Sequence, residues 1–334
     1  MDPDAVADVA RVPHGGASDA SLLDFSANTN PDRPSGVVSV YESAYAAATR
    51  YPGDDYADYR TAAGAYLGCE PLNVVPTAGG IAALRLAFEV TLDSDDAALL
   101  PKPSFGEYER EVRLQGVDPT FVAYDRILGT DPTGYDAVVV CNPNNPTGDA
   151  YPRADLLSYA EQCRAADTVL IVDEAFLDFT DRRTLAGEPG VVVVRSLTKI
   201  FGLPGLRAGM AVATDDLRER LDAARPAWGL STPAAAVGAY CLRRTKFVAE
   251  TRDRVRSERR RMRDALDPAY DVYPSEAPFL LLDVGDRAVS DVIDRARRDG
   301  IVIRDATTFR DLDSHVRVAV RRPHENDRLL DTLL

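Results

Sequence analysis

Between about Gly79 and Gly209 the chain alternates short, continuously apolar runs with stretches of helical periodicity. Ile81 to Leu92 has helical spacing, "AALL" reads as a strand and Phe105 to Leu114 as a helix. "AVVVC" follows, then a helix, then "TVLIV", "VVVVR" and "GMAVA". Strands that are apolar on both faces, separated by amphipathic helices, predict a largely parallel sheet, because crossover helices cover both of its sides. The middle of the chain therefore reads as a doubly wound α/β domain. Beyond Ser231-Thr232-Pro233 one long helical stretch is expected to about Leu266. It is followed by "FLLLDV", a helix, "GIVIRD", "VRVAV" and a last helix, which is the pattern of a smaller α+β domain. No internal repeat or low-complexity linker interrupts the series.

Composition narrows the function classes. The 334 residues are 45% hydrophobic, enough for a large core and a second, smaller one. The 39 Lys+Arg against 53 Asp+Glu leave a net charge of −14, a field that opposes phosphate backbones and anionic lipid, so neither nucleic acid nor membrane is an expected partner. The arginine-rich run "RTKFVAETRDRVRSERRRMRDAL" carries interspersed acids at helical spacing and reads as a solvated helix face. Only Lys102, Lys199 and Lys246 are lysines, and acids are spread along the whole chain, which suggests adaptation to a high-salt cytoplasm. Cys69, Cys141, Cys163 and Cys241 fall singly, against a zinc ribbon or a disulfide framework. No basic-then-apolar leader follows Met1 and no apolar run approaches the ~20 residues of a span, so a cytoplasmic location is expected.

Lys199 lies in "SLTKIFGLPGLRAG", just after the apolar run "VVVV" and before a Gly/Pro-rich turn, where it can meet a ligand at the mouth of an open sheet. "CNPNNPTG" follows one strand and "VDEAF" another, so three strand ends offer an amide, a carboxylate and an amine to one crevice. That set suits pyridoxal 5'-phosphate. The cofactor needs a lysine for its aldehyde, an acid to keep its ring nitrogen protonated and a donor to its ring oxygen.

On these motifs the chain resembles the fold-type I pyridoxal phosphate enzymes of the class I/II aminotransferase group over nearly its whole length. The resemblance implies a large cofactor-binding α/β domain at residues 40–232 and a small domain formed by 1–39 with 233–334. It implies Lys199 as the Schiff-base lysine, Asp173 as the partner of the ring nitrogen, Asn145 of "NNPTG" as donor to the ring oxygen with Phe176 beside it, and Phe105 of "PSFGEY" stacked on the ring, Tyr108 being the alternative. Ser196, Arg207 and the backbone N–H groups of Gly80 and Ile81 are implied as phosphate ligands; a helix start after "PTAGG" suits an anion. Tyr51 of "RYPGDDY" resembles a tyrosine that reaches the cofactor of a neighbouring subunit, so a homodimer is expected.

Within the group the chain is most similar to the L-threonine-O-3-phosphate decarboxylases of cobalamin biosynthesis, with the histidinol-phosphate aminotransferases next. "PHGG", "LLDFSANTNP", "DEAFLDF" and "GIVIRDATTF" carry the first likeness, although Ala306 stands where those decarboxylases have cysteine. Position 176 is Phe where the aminotransferases usually carry Tyr. Arg304 and Arg317, thirteen residues apart, resemble the substrate-binding arginines of the phosphate-substrate subfamily, Arg304 for the phosphate and Arg317 for the carboxylate. His14 and Asn30 are implied near the substrate, a small phosphorylated amino acid.

Overall fold

A computed structural model describes all residues, Met1–Leu334. Its centre is a seven-stranded sheet in the spatial order Val74–Thr77, Gly209–Val212, Val191–Ser196, Val169–Asp173, Ala137–Cys141, Ala98–Lys102, Thr120–Ala123. Five neighbouring strands run parallel from Val191–Ser196 to the Thr120–Ala123 edge, and only Gly209–Val212 runs against its neighbours. The valine runs explain the layering. Val138, Val140, Leu170, Val172, Val191 and Val193 enter the larger core on one face. Val139, Ile171, Val192 and Val194 enter a second core on the other. Each such side chain contributes about 1.5–3 kcal/mol by leaving water, so the period-two alternation is buried on both sides.

The two outer strands Val74–Thr77 and Thr120–Ala123 escape the apolar-run criterion. The first contains Pro76 and is four residues long, and the second is a partly exposed edge. The long helix expected from 232 to 266 is two helices, Thr232–Leu242 and Thr245–Leu266. The first packs in an apolar setting against helices Val37–Ala47 and Ala57–Leu67. The second buries a single stripe, Val248, Thr251, Val255, Glu258, Met262 and Leu266, and turns its charged face to solvent. One straight axis cannot serve both surfaces, and the chain turns at Arg243-Arg244.

"GIVIRD" also divides. Ile301–Val302 pairs in parallel with Leu23–Asp24, tying the N-terminal arm to the C-terminal part of the chain, whereas Arg304–Asp305 pairs antiparallel with His315–Ala319. The latter belong to a four-stranded antiparallel sheet with Phe279–Asp283 and Asp271–Val272. No helix is long and apolar enough to cross a membrane.

Candidate active site

Strands Ala137–Cys141, Val169–Asp173 and Val191–Ser196 are parallel and end on one edge, with Cys141 paired to Asp173 and Asp173 to Val194. The loop of residues 142–148, Asp173 and the segment from Ser196 to Lys199 therefore open into one crevice at the carboxyl ends of the strands, the position where open α/β sheets bind ligands.

Asp173 is buried, and its two oxygens are held by neutral donors. The Ala175 N–H donates to Oδ1 at 2.9 Å and the Tyr108 hydroxyl to Oδ2 at 2.7 Å. Burial raises its pKa, against the pull of those two donors and of the Lys199 and Arg195 charges. Phe105 meets the Tyr108 ring edge-on at 5.6 Å. Lys199 is pushed down to about 8, first by burial and then by the Arg317 charge; Asp173 opposes and Arg207 adds to the depression. An amine poised there is neutral for part of the time at physiological pH, as a nucleophile for an aldehyde must be. Its Nζ lies 5.7 Å from the centre of the Phe176 ring, which packs edge-on against Phe279.

A cup for an anion forms beside the lysine. Gly79 has φ +89°, and a Cβ there would stand 2.5 Å from Arg207 Nη2; one at Gly80 would stand 3.3 Å from Ser196 Cβ. The glycines are what let the start of helix Gly80–Thr91 approach Arg207 and Ser196 so closely. The amides of Gly80 and Ile81 open that helix, where N–H groups lack intrahelical partners. The Ser196 and Thr198 hydroxyls are 2.8 Å apart, and Arg207 has no carboxylate within ion-pairing distance, donating instead to the Pro204 carbonyl at 3.1 Å.

In the four-stranded sheet, the pairing of Arg304–Asp305 with His315–Ala319 sets Arg304 directly across from Arg317. Like charges facing across a strand pair repel, and neither guanidinium has a carboxylate within ion-pairing distance. Arg317 is buried; it donates to Asn145 Oδ1 and to the Ser26 carbonyl at 3.4 Å, and lies over Phe279 and Phe309. Burial and the nearby Arg304 charge push its pKa down from the ordinary arginine value, which is the signature of a cation without its anion. Arg304 donates to the Pro13 carbonyl and to Thr308 Oγ1, both at 2.8 Å.

Most of the residues implied from sequence thus converge, with His14 at their margin beside Phe105, while Asn30 and Tyr51 stand apart. Asn30 does not face the crevice. Its amide donates to the Ile200 carbonyl at 2.8 Å, its oxygen accepts from Arg254 at 2.6 Å, and its backbone N–H holds the Lys199 carbonyl at 3.0 Å. It braces the lysine loop from behind. Asn28, two residues earlier, meets Arg317 instead: with its amide oxygen toward the guanidinium it accepts from Arg317 at 3.2 and 3.3 Å. The motif "SANTNP" offers both asparagines, two residues apart in an irregular segment, and spacing does not choose between them. His14 is bonded to Glu107 at 2.8 Å and lies 5.8 Å from the Phe105 ring. Tyr51 is 79% exposed and stacked on Trp228 at 4.5 Å. A cavity of about 730 Å³ lies elsewhere, between helix Ala57–Leu67 and helix Thr245–Leu266; Arg153, Arg182, Arg195 and Arg252 on its wall already carry acid partners.

The residues present fit pyridoxal phosphate. There is a depressed lysine, a buried carboxylate free of cationic partners, a partly exposed aromatic ring, and a glycine-lined cup with an unpaired arginine. A parallel sheet carrying this set at its carboxyl edge defines an enzyme of the pyridoxal phosphate class. The chain belongs to the aminotransferase class I and II family, whose model matches residues 20–333. Threonine-phosphate decarboxylase of Salmonella typhimurium is 32% identical over 344 residues, covering 95% of this chain and 92% of its own. Histidinol-phosphate aminotransferase of Methanosarcina mazei is 30% identical over 331 residues, covering 94% and 88%. Among solved structures, the histidinol-phosphate aminotransferase of Sinorhizobium meliloti in complex with pyridoxal-5'-phosphate shares the fold, with a TM-score of 0.82 at 23% identity over 92% of this chain and 89% of that one. The cofactor of the family is pyridoxal phosphate.

Proposed function

We propose that the protein decarboxylates L-threonine O-3-phosphate to (R)-1-aminopropan-2-yl phosphate and CO2. The observation that carries this reading is Phe176, a ring with no hydroxyl 5.7 Å from Lys199 Nζ. When bound, pyridoxal phosphate supplies an electron sink for whichever bond at the substrate α-carbon stands perpendicular to its ring. Lys199 would carry it, Asp173 would hold its ring nitrogen, Asn145 its ring oxygen, and Ser196, Arg207 and the Gly80 and Ile81 amides its phosphate. Arg317, backed by Asn28, would grip the substrate carboxylate and Arg304 the phosphate. Two facing arginines without acids suit a substrate bearing two anions, each held by paired charge-assisted bonds. Decarboxylation breaks the bond from carboxylate to α-carbon, CO2 leaves, and a proton from Lys199 Nζ takes its place at that carbon.

A tyrosine at position 176 would donate to the ring oxygen beside Asn145 and help free Lys199 as the neutral base that begins amine transfer. Phe176 cannot. Phe176→Tyr is expected to lower the pH midpoint of the colour change of the lysine-bound cofactor and to increase pyridoxamine phosphate formed during turnover; an unmoved midpoint means that the hydroxyl does not reach the ring oxygen. The reaction itself is tested by products, in molar salt as the acidic composition calls for. CO2 released from L-threonine phosphate is the expected result. Amine transfer from histidinol phosphate to 2-oxoglutarate without CO2 release establishes the second reading, which the Methanosarcina relative supports.

We also infer that a second copy of the chain covers one face. Val38, Tyr41 and Tyr45 form an exposed stripe on helix Val37–Ala47, and Tyr51 and Trp228 are exposed as well. Exposed aromatics in such number mark an interaction surface, and Tyr51 from there would serve the partner's cofactor phosphate. Light scattering is expected to give a dimer and Tyr51→Phe a weakened cofactor affinity; a fully active monomer overturns both.

A further inference from the structure

Asp173 differs from the other buried carboxylates of this fold in what holds it. Glu111 is gripped by Arg85 and Arg110, and Glu174 and Asp178 by Arg195. Arg195 stands on the strand next to Asp173, yet its guanidinium is engaged with those two neighbours. Asp173 has only a backbone amide and the Tyr108 hydroxyl. Tyr108 is completely buried on the first turn of helix Glu107–Arg113, with Asp173 accepting from its hydroxyl and the Cys141 thiol beside it. Burial and the adjoining carboxylate push its pKa far up, so it stays a donor throughout the working range.

The distinction has a chemical consequence. An arginine on Asp173 would hold the carboxylate ionised but would also cancel its charge, leaving little attraction for a protonated ring nitrogen. A neutral donor favours the ionised form and fixes the rotamer while leaving the negative charge uncancelled. Reading Asp173 as the partner of the ring nitrogen, we propose that Tyr108 is a positioning residue which, through its bond to Oδ2, keeps Asp173 ionised and aimed at the cofactor ring. Phe105 stands three residues before it, so the segment entering helix Glu107–Arg113 carries both the ring's cover and the brace of its counter-ion. The other titratable groups near Asp173 are Cys141, Lys199 and Arg195. The Cys141 thiol is fully buried and pushed far up, so it brings no charge.

The experiment uses holoenzyme reconstituted with cofactor labelled with 15N in the ring. In the wild type the ring-nitrogen resonance is expected at its protonated position from pH 6 to 9. In Tyr108→Phe it is expected to titrate within that range, with the cofactor dissociation constant raised about 10- to 100-fold, the usual weight of a hydrogen bond to a charged group. Replacement of Tyr108 by 3-fluorotyrosine, a stronger donor of nearly the same shape, is expected to leave the resonance protonated; loss of the protonated signal there overturns the role of the Tyr108 hydroxyl even if the phenylalanine variant folds poorly. Asp173→Asn is expected to lose the protonated signal, and Tyr108→Phe added to it to change nothing further. A protonated, tightly held ring in Asp173→Asn overturns the reading of Asp173 itself. Loss in Asp173→Asn with wild-type behaviour in Tyr108→Phe overturns the role of Tyr108 alone, as does an equal effect of Tyr108→Phe in both backgrounds, which would place its action in packing.

Discussion

Replacing Lys199 with alanine is expected to abolish turnover and the visible absorbance of the lysine-bound cofactor, while Lys102→Ala and Lys246→Ala retain both. Because the chain has three lysines, these variants test every candidate amine. Lys102 is paired with Asp311 at 3.0 Å and Lys246 is an exposed partner of Glu250; neither has the burial that depresses Lys199. Loss of the nucleophile that anchors the cofactor costs at least about a thousandfold in kcat/KM, since no other group can form that bond. The pH dependence of cofactor capture follows from the depressed amine. Only the neutral form attacks the aldehyde, so the capture rate of the apo-protein rises with pH and levels off above about 8. Activity retained in Lys199→Ala, or a capture rate still climbing at pH 10, overturns the assignment.

The second large effect is expected at the facing arginines. Arg317→Gln should lower kcat/KM about 30- to 1,000-fold on a phosphorylated amino acid and on its unphosphorylated analogue alike, because the carboxylate is common to both. Arg304→Gln should discriminate, with a loss of similar size on the phosphorylated substrate and little on the analogue. Equal losses on both remove Arg304 from the phosphate site. Arg317→Gln carries a second readout. Its charge helps to hold Lys199 down, so its removal moves the lysine midpoint above about 8 and slows cofactor capture at pH 8. The thermal midpoint of the apo-protein should shift by less than about 3 °C, since the hydrogen bonds lost to Asn145 and the Ser26 carbonyl are offset by relief of the repulsion with Arg304.

Much of this site was legible in the chain because its parts are contiguous. A strand that ends in "VDEAF" or "VVVVRSLTK" announces both the element and the group at its tip, since the apolar run and the polar residue after it are fixed by neighbours a few positions away. The succession of the central strands along the chain, the glycine turn before helix Gly80–Thr91 and the placing of Asp173 and Lys199 at or just after strand ends all follow from such local rules, whereas the order of the strands within the sheet does not. The break at Arg243-Arg244 was not legible. Both helices have acceptable periodicity, and what separates them is the different surface each must cover.

By itself, then, the sequence determined that three parallel strands would end in an amide, an acid and an amine, because apolar periodicity and loop chemistry act within single segments. Only the tertiary structure decided which groups meet across segments. Tyr108 finds Asp173 across 65 positions and Arg317 finds Asn145 across 172. Asn28 rather than Asn30 reaches Arg317, and a spacing of thirteen becomes two arginines face to face only when the strand register sets Arg304 opposite Arg317. These choices depend on how sheets and loops pack in three dimensions, where sequence distance carries no information about side-chain distance.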